Sequence, residues 1–242
     1  MSDLGLSTIV AIITIAILLR STFGFGDAVF AVPLFAMFSD VVFAAPVLAA
    51  VGSVTTVIVC VRDFRQIAWR SVLTLLIGCL LGLPLGLLLL KTAPSRPMLL
   101  SIGAVTTTYA AYALFAKTRT FVMSDHWAIP VGVLSGILGG SFNMFGLPVA
   151  IYGSFRGWTP ERFRILTSSF FLPTGMIAVA GHYYAGLWGE DFGRAFGFSL
   201  IPALIALEAG RLINARIDPA KFRKYVWMLI LLIGLLLVIR NI

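Results

Sequence analysis

The chain has 242 residues, of which 60% are hydrophobic and only 12% are charged, and its formal net charge is +8. A soluble domain keeps about a quarter of its residues charged, so this composition excludes an ordinary soluble protein and indicates a multi-pass, α-helical membrane protein. Basic loops that orient helices in a bilayer explain the positive charge better than nucleic-acid binding does. The two cysteines and two histidines have no metal-ligand spacing, and we expect neither a metal nor a cofactor.

The pattern of apolar stretches predicts eight elements, of which two are interrupted by glycine. The other six are continuous helices of about 20 residues, the length that crosses a bilayer. In chain order the elements are a broken segment at 4–38, helices near 41–61, 71–90 and 97–116, a second broken segment at 127–155, and helices near 163–184, 194–211 and 225–240. Each half of the chain therefore contains one broken segment and three full helices.

The two broken segments are similar in sequence. A shift of 115 positions lays Phe23-Gly24-Phe25-Gly26 over Leu138-Gly139-Gly140-Ser141 and also puts Pro33 on Pro148. Hydrophobic segments interrupted by glycine or proline at corresponding places in two halves are typical of the binding site of a transporter. The repeat therefore predicts that the protein moves a small molecule across a membrane.

A second alignment extends the repeat over most of the chain. Gly86 and Gly210 correspond at a shift of 124, and each precedes a loop that contains proline. We expect one transmembrane domain over residues 1–242, with internal repeats at 4–116 and 127–242. Its fold class is then an all-α bundle of two repeats, each built from a broken hairpin and three transmembrane helices.

The loop charges predict how these helices are oriented. Four loops carry 13 of the 18 Lys and Arg residues, and the remaining loops and the C-terminus carry four. The positive-inside rule places the four basic loops in the cytoplasm, which requires each broken segment to be re-entrant and makes the two halves inverted repeats. The two pieces of the first segment support this, since residues 4–19 (about 16 residues) and 28–38 (about 11 residues) are both short for a crossing of about 20 residues. The four loops are 62–70, 117–126, 156–164 and 211–224.

The repeated motifs resemble those of the sulfite exporter TauE/SafE family, also called the toluene sulfonate uptake permeases. The first motif is Phe23-Gly-Phe-Gly-Asp-Ala-Val-Phe-Ala-Val-Pro33, and its counterpart runs from Ser135 through Gly139-Gly140 to Gly146-Leu-Pro148. The resemblance covers nearly the whole chain and implies a permease for sulfite, organosulfonates or related small anions. Asp27 and Leu147 depart from the family pattern, in which glycine and proline respectively are common.

The first break supplies a candidate anion site. Arg20 lies at membrane depth in the hairpin arrangement, where a charge is expensive and usually functional, and its planar guanidinium suits a sulfonate. The alternatives are that Arg20 ends a helix at the interface or pairs with Asp27. Gly24, Phe25 and Gly26 let the backbone approach a ligand closely. Asp27 is either the N-cap of the resumed helix or a carrier for a coupling proton.

The second break supplies the matching half of the site. Gly139, Gly140, Ser141 and Asn143 are its candidate substrate contacts, and both resumed helices offer free N–H groups to an anion. For Asn143 the alternative to substrate contact is a structural cap. Ser168 follows the second hairpin and either faces the cavity or bonds to its own backbone.

Two further titratable residues lie within apolar stretches. Glu208 is a second candidate for the coupling proton, although Arg211 three residues later favours a local ion pair. His182 stands beside Tyr183 and Tyr184, and we interpret it as part of an interfacial aromatic belt.

The sequence therefore favours a secondary transporter of sulfite or an organosulfonate, coupled to a proton or ion gradient, in the inner (plasma) membrane. Its expected partners are the anion and the lipid bilayer, with no nucleic acid, and no enzyme activity is expected. The alternatives are a passive anion channel and an intramembrane hydrolase that uses Ser135 and His182. The hydrolase alternative is disfavoured because the sequence shows no evident acidic residue that would orient His182.

Overall fold

A computed structural model describes residues 3–24, 26–62, 69–115, 123–158, 160–214 and 219–242. These residues are almost entirely α-helical and contain no strand, which confirms the predicted fold class of a polytopic helical membrane protein. Helices suit such a chain because they satisfy every backbone polar group within the segment, as a lipid environment demands.

Ten α-helices and one short 3₁₀ turn follow one another along the described residues. The helices are α1 (Asp3–Phe23), α2 (Asp27–Phe38), α3 (Val41–Arg62), α4 (Trp69–Thr92), α5 (Ser95–Phe115), α6 (Ala128–Phe142), α7 (Gly146–Phe155), α8 (Pro160–Tyr184), α9 (Phe192–Asn214) and α10 (Pro219–Asn241), and the 3₁₀ turn is Asp125–Trp127. The predicted helices and both broken segments are present, with α1–α2 as the first broken segment and α6–α7 as the second.

The length of α1 differs from the sequence-based expectation. Its first piece was expected to end at Leu19, short of a bilayer crossing, but the helix continues to Phe23 and has 21 residues. Residues 20–23 add one more turn because none of them breaks a helix. Six helices in the described part of the chain are long and apolar enough to cross a membrane, namely α1, α3, α4, α5, α8 and α9. The expectation of a short first piece is therefore wrong for α1, whereas α2, with 12 residues, is short as expected.

The chain divides into two compact units. The first unit comprises residues 1–45, 92–117 and 190–242, and thus the broken segment α1–α2 with α5, α9 and α10. Within it α1 packs against α2 and α9, and α5 packs against α10. The second unit comprises residues 46–91 and 118–189, and thus the broken segment α6–α7 with most of α3, and α4 and α8.

In the first unit α1 and α9 approach each other closely at a glycine. A Cβ atom on Gly210 would lie 2.6 Å from the carbonyl oxygen of Leu18 and 2.6 Å from the Cβ of Ser21. The Ser21 hydroxyl donates to the Leu207 carbonyl at 2.5 Å. Small residues that bring two backbones together, supplemented by hydroxyl hydrogen bonds, are the usual means of packing helices in a membrane.

In the second unit α4 and α6 pack through glycines on both helices. A Cβ atom on any of these glycines would overlap or crowd the backbone of the opposite helix, so the contact depends on small residues at a spacing of four. The glycines are Gly78, Gly82 and Gly86 on α4 and Gly132, Gly136 and Gly140 on α6. A core of apolar side chains from α4, α6, α7 and α8 completes the unit.

The contacts of Gly86 and Gly210 relate the two halves of the chain. Gly86 faces the Ile137 carbonyl of α6, whereas Gly210 faces the Leu18 carbonyl of α1. Leu18 and Ile137 are 119 positions apart, the same offset as between Asp27 and Gly146, where the resumed helices α2 and α7 begin. In each unit, a helix from one half thus packs on the broken segment of the other half. The inversion of the two halves stays a prediction.

Candidate functional site

The first break is produced by glycines with left-handed backbone angles. Gly24 has φ of 86° and Gly26 has φ of 102°, a region that side chains rarely adopt. A Cβ atom on Gly26 would meet no atom within 4 Å, so the backbone angle and not the available space requires glycine there. Phe25, the third candidate at this break, lies outside the described residues.

Arg20 and Asp27 form an ion pair across the first break. Nη1 of Arg20 donates to Oδ2 of Asp27 at 3.1 Å, and the two side chains are only 14% and 13% exposed. The pair joins the last turn of α1 to the first residue of α2. Of the alternatives for Arg20, the structure therefore shows the one in which it pairs with Asp27.

The N-cap of α2 is Gly26 and not Asp27, so the expectation that Asp27 caps this helix is wrong. Asp27 is the first residue of α2, and its carboxylate is directed at Arg20. Gly26 has no side chain to accept the first N–H groups of the helix, and α7 begins after Phe145 with no side-chain cap either. Both helix starts therefore keep N–H groups and a positive dipole end for an anion.

The second break is formed by Asn143. This residue ends α6 with φ of 58°, and asparagine is, after glycine, a common residue in such a left-handed cap. Its N–H donates to the Gly139 carbonyl at 2.8 Å, and the N–H of Met144 donates to the Leu138 carbonyl at 3.1 Å. The backbone thus accounts for asparagine here, and its half-buried side chain makes no hydrogen bond among the described residues. Substrate contact by that side chain stays a prediction.

The other candidates at the second break are tightly packed. The ring of Phe145 covers Gly139, and Gly140 lies against the Leu83 carbonyl of α4. Ser141 is buried and donates to the carbonyl of Ile137 at 2.5 Å. These three residues have structural reasons to be small, and their contact with a substrate stays a prediction.

The hydroxyl groups near the breaks are mostly bonded to backbone. Ser135 donates to the Phe145 carbonyl, which ties the end of the break to α6. Thr167 and Ser169 donate to carbonyls one turn earlier in α8. The carbonyl of Ser168 accepts a hydrogen bond from the Cys60 thiol at 3.4 Å, and substrate contact by its hydroxyl stays a prediction. Because Ser135 bonds to backbone, the serine and histidine expected for a hydrolase do not form a pair.

Glu208 forms the local ion pair that its spacing predicted. Its Oε2 lies 3.0 Å from Nε of Arg211, and these side chains are 41% and 64% exposed. An exposed pair of this kind contributes little to stability, so it does not explain why an acid stands in α9. Glu208 lies on the helix that packs against α1 in the first unit.

His182 is the residue that the sequence interpretation misplaced. Its side chain is 1% exposed, so it is not part of an interfacial belt, although Tyr183 and Tyr184, the last two residues of α8, are 58% and 86% exposed. Neither ring nitrogen has a hydrogen-bond partner among the described residues. The only signal in the sequence was a histidine within an apolar stretch, and helical periodicity there does not tell a lipid-facing position from a buried one.

Comparison with known proteins matches the chain to a family. The family model for Sulfite exporter TauE/SafE matches residues 9–237, nearly the whole chain, including both breaks and the ion pair between Arg20 and Asp27. No curated protein and no solved structure matches the chain.

Proposed function

Because the chain belongs to the sulfite exporter TauE/SafE family, we propose that it is a secondary transporter that carries sulfite or an organosulfonate across the inner membrane. The family and the apolar helices make it a multi-pass membrane protein of a transporter family. The single observation that supports a specific site is the mostly buried ion pair between Arg20 and Asp27 at the first break.

At the proposed site the anion takes the place of the Asp27 carboxylate as the partner of Arg20. The guanidinium that now donates to Asp27 has a fork geometry that also fits two oxygens of a sulfite or sulfonate group. The uncapped start of α2 lies at the same break and adds N–H groups and a positive dipole end. An anion that replaces the Asp27 carboxylate thus finds a cation and a helix N-terminus together.

The same ion pair provides a way to couple the anion to a proton. A proton on Asp27 would neutralise its carboxylate and release Arg20, so anion and proton would bind together and cross together. Glu208 stays the second candidate for the coupling proton. The alternative of a passive anion channel shares the site but predicts no dependence on a gradient.

Uptake of labelled sulfite by proteoliposomes tests this function. We expect accumulation above equilibrium only when a proton or ion gradient is imposed. If sulfite only equilibrates across the membrane under every imposed gradient, the protein is a passive channel. If neither sulfite nor a simple sulfonate crosses at all, the proposed function is wrong.

Substitutions of Arg20 test the proposed site. A charge-assisted hydrogen bond contributes about 1.5–3 kcal/mol, so Arg20→Ala should raise the half-saturating concentration of the anion about 10- to 100-fold. Arg20→Lys should recover only part of this loss, because lysine keeps the charge but not the fork. Arg240→Lys is the matched control, since Arg240 is an exposed arginine in the last turn of α10.

A paired substitution separates binding from folding. Arg20→Ala leaves the Asp27 carboxylate mostly buried without its partner, which costs up to about 3 kcal/mol of stability. Arg20→Gln combined with Asp27→Asn removes both charges and should regain the parental unfolding temperature without regaining anion binding. Parental affinity in Arg20→Ala or in the double variant would show that Arg20 is structural.

Amide substitutions test the two coupling candidates. Asp27→Asn should abolish uptake driven by a proton gradient while preserving exchange of labelled for unlabelled sulfite, because Arg20 stays available to the anion. Glu208→Gln should have this effect only if Glu208 carries the proton. Unchanged pH dependence in both variants would exclude both acids.

A further inference from the structure

The imidazole of His182 is a buried polar group that the proposed anion site does not use. It lies in the last turn of α8, is 1% exposed, and has no hydrogen bond at either ring nitrogen within the described chain. Native proteins almost always satisfy buried polar groups. An imidazole with two unused nitrogens in a transport protein therefore indicates a ligand that is bound during only part of the cycle.

The imidazole faces a carbonyl that has been released from its helix. In a regular helix the N–H of Met144 would donate to the carbonyl of Gly140, but it donates to the carbonyl of Leu138 at 3.1 Å. The Gly140 carbonyl instead faces the ring of His182, although the two do not meet the geometry of a hydrogen bond. The break after α6 thus leaves an acceptor beside this histidine.

The position of Gly140 favours a positive charge on the ring. Gly140 belongs to the last turn of α6, and the C-terminal end of a helix carries a partial negative charge that attracts cations. In transporters with broken helices, unwound carbonyls and half-helix C-termini are the groups that coordinate a coupling cation. The Gly140 carbonyl can accept a hydrogen bond from the ring, and the C-terminal end of α6 supplies partial negative charge. Both features stabilise a protonated imidazole in a buried place.

In the second unit, α3, α4, α6 and α7 as the structure describes them contain no acidic residue, and the acid of α8, Glu161, stands in the first turn of that helix, far along it from His182. Helix α6 contains no titratable residue, and α7 contains only Tyr152. On α4, Cys79 is buried and Lys91 is exposed in the last turn, whereas Arg70 stands at the far end of the helix. On α8 the neighbouring titratable groups are the exposed Tyr183 and Tyr184. These helices therefore offer no carboxylate as the counter-ion of a protonated His182, and a bound anion can take that place.

We propose that His182 binds a transported proton together with the substrate anion. The unprotonated ring nitrogen takes a proton from water on the proton-rich side, one N–H of the imidazolium donates to the Gly140 carbonyl, and the other donates to an oxygen of the anion. When the anion leaves on the other side, the unpaired positive charge is no longer stabilised and the proton returns to water. This inference rests on the proposed function and adds His182, in the second unit, as a further proton-binding residue beside the candidate Asp27 of the first unit.

Transport measurements on His182→Gln test the proposal, because glutamine keeps hydrogen-bonding groups but cannot take up a proton. We expect sulfite accumulation driven by a proton gradient to fall to the equilibrium level and uptake to lose its dependence on pH, while counterflow exchange is weakened but remains measurable, because the glutamine amide still donates a hydrogen bond to the anion. The control is His126→Gln, since His126 is the other histidine of the chain and is exposed on the 3₁₀ turn. Accumulation with the parental pH profile in His182→Gln would overturn the proposal. A parent without sulfite transport would overturn the proposed function itself.

A direct measurement on the folded protein does not depend on the His182 variant. With His126→Gln, His182 is the single histidine, and ¹⁵N labelling of its ring reports its protonation state in nanodiscs. Saturating sulfite should convert the two distinct nitrogen signals of a neutral ring into those of an imidazolium. A ring that stays neutral with sulfite bound would overturn the proposal even if His182→Gln failed to fold.

Discussion

At the residue scale, each break depends on a residue that accepts a left-handed backbone. Glycine takes this role at the first break and Asn143 at the second. The glycines were recognisable in the sequence because no other residue is so common at such positions. Asn143 was open to two interpretations, because asparagine serves both as a cap and as a ligand.

Two substitutions at Asn143 separate these interpretations. Glycine adopts the left-handed angle without strain, whereas alanine pays about 1–2 kcal/mol. If the residue acts only as a cap, Asn143→Gly should retain the stability and anion affinity of the parent, and Asn143→Ala should lower the unfolding temperature. A loss of anion affinity in both variants, with Asn143→Gly still folded, would show that the side chain binds the substrate. Thermal unfolding and sulfite uptake measured on the same preparations decide between them.

The pairing of Arg20 with Asp27 shows where sequence interpretation reaches its limit at this scale. The seven-residue separation permits the contact only because the helix breaks between them and α2 turns back against α1. The pair was therefore one of several alternatives until the geometry of the break was known.

At the scale of helices, glycine spacing determines which helices touch. The spacing of four in Gly78, Gly82 and Gly86 was visible in the sequence, but its partner was not. The structure shows that this row packs on a glycine row of α6 with a similar spacing. Two backbones in contact gain dispersion and bury little polar surface, which is what stabilises helix pairs in lipid.

A methyl group in this contact should destabilise the second unit. A Cβ atom on Gly82 would overlap the Val133 carbonyl, and relieving such overlap costs about 1–3 kcal/mol. Gly82→Ala should therefore lower the unfolding temperature in detergent. Gly197→Ala is the matched control, since its added methyl meets no atom within 4 Å and alanine favours a helix more than glycine does. Equal stability of Gly82→Ala and the parent would mean that α4 and α6 are not in this contact.

At the scale of the whole molecule, the loop charges still predict the orientation. The four basic loops should face the cytoplasm, which requires the second broken segment, between the loops 117–126 and 156–164, to begin and end on the same side of the membrane. The path of the first broken segment is left open, because α1 has 21 residues and is long enough to cross.

Thiol labelling of intact cells tests the orientation. Ser124 and Ser95 are both exposed; Ser124 lies in the basic loop 117–126 and Ser95 is the first residue of α5, and the two are predicted to be on opposite sides of the membrane. An impermeant reagent added outside should label Ser95→Cys and leave Ser124→Cys unlabelled until the cells are opened. The parent protein is the control for background labelling, because its two cysteines, Cys60 and Cys79, are buried. Labelling of Ser124→Cys in intact cells would contradict the predicted topology.

The sequence alone determined the class of protein, the positions of the helices and the family. These features depend on composition and on local patterns, since a stretch of about 20 apolar residues has few alternatives to a membrane helix. Only the tertiary structure decided that α4 packs on α6 and α1 on α9, that Asp27 pairs with Arg20, and that His182 is buried beside a released carbonyl. Each of these depends on backbone path and on contacts between segments far apart in the chain. Hydropathy carries no information about which apolar faces meet, because in a membrane protein lipid-facing and protein-facing residues are similarly apolar.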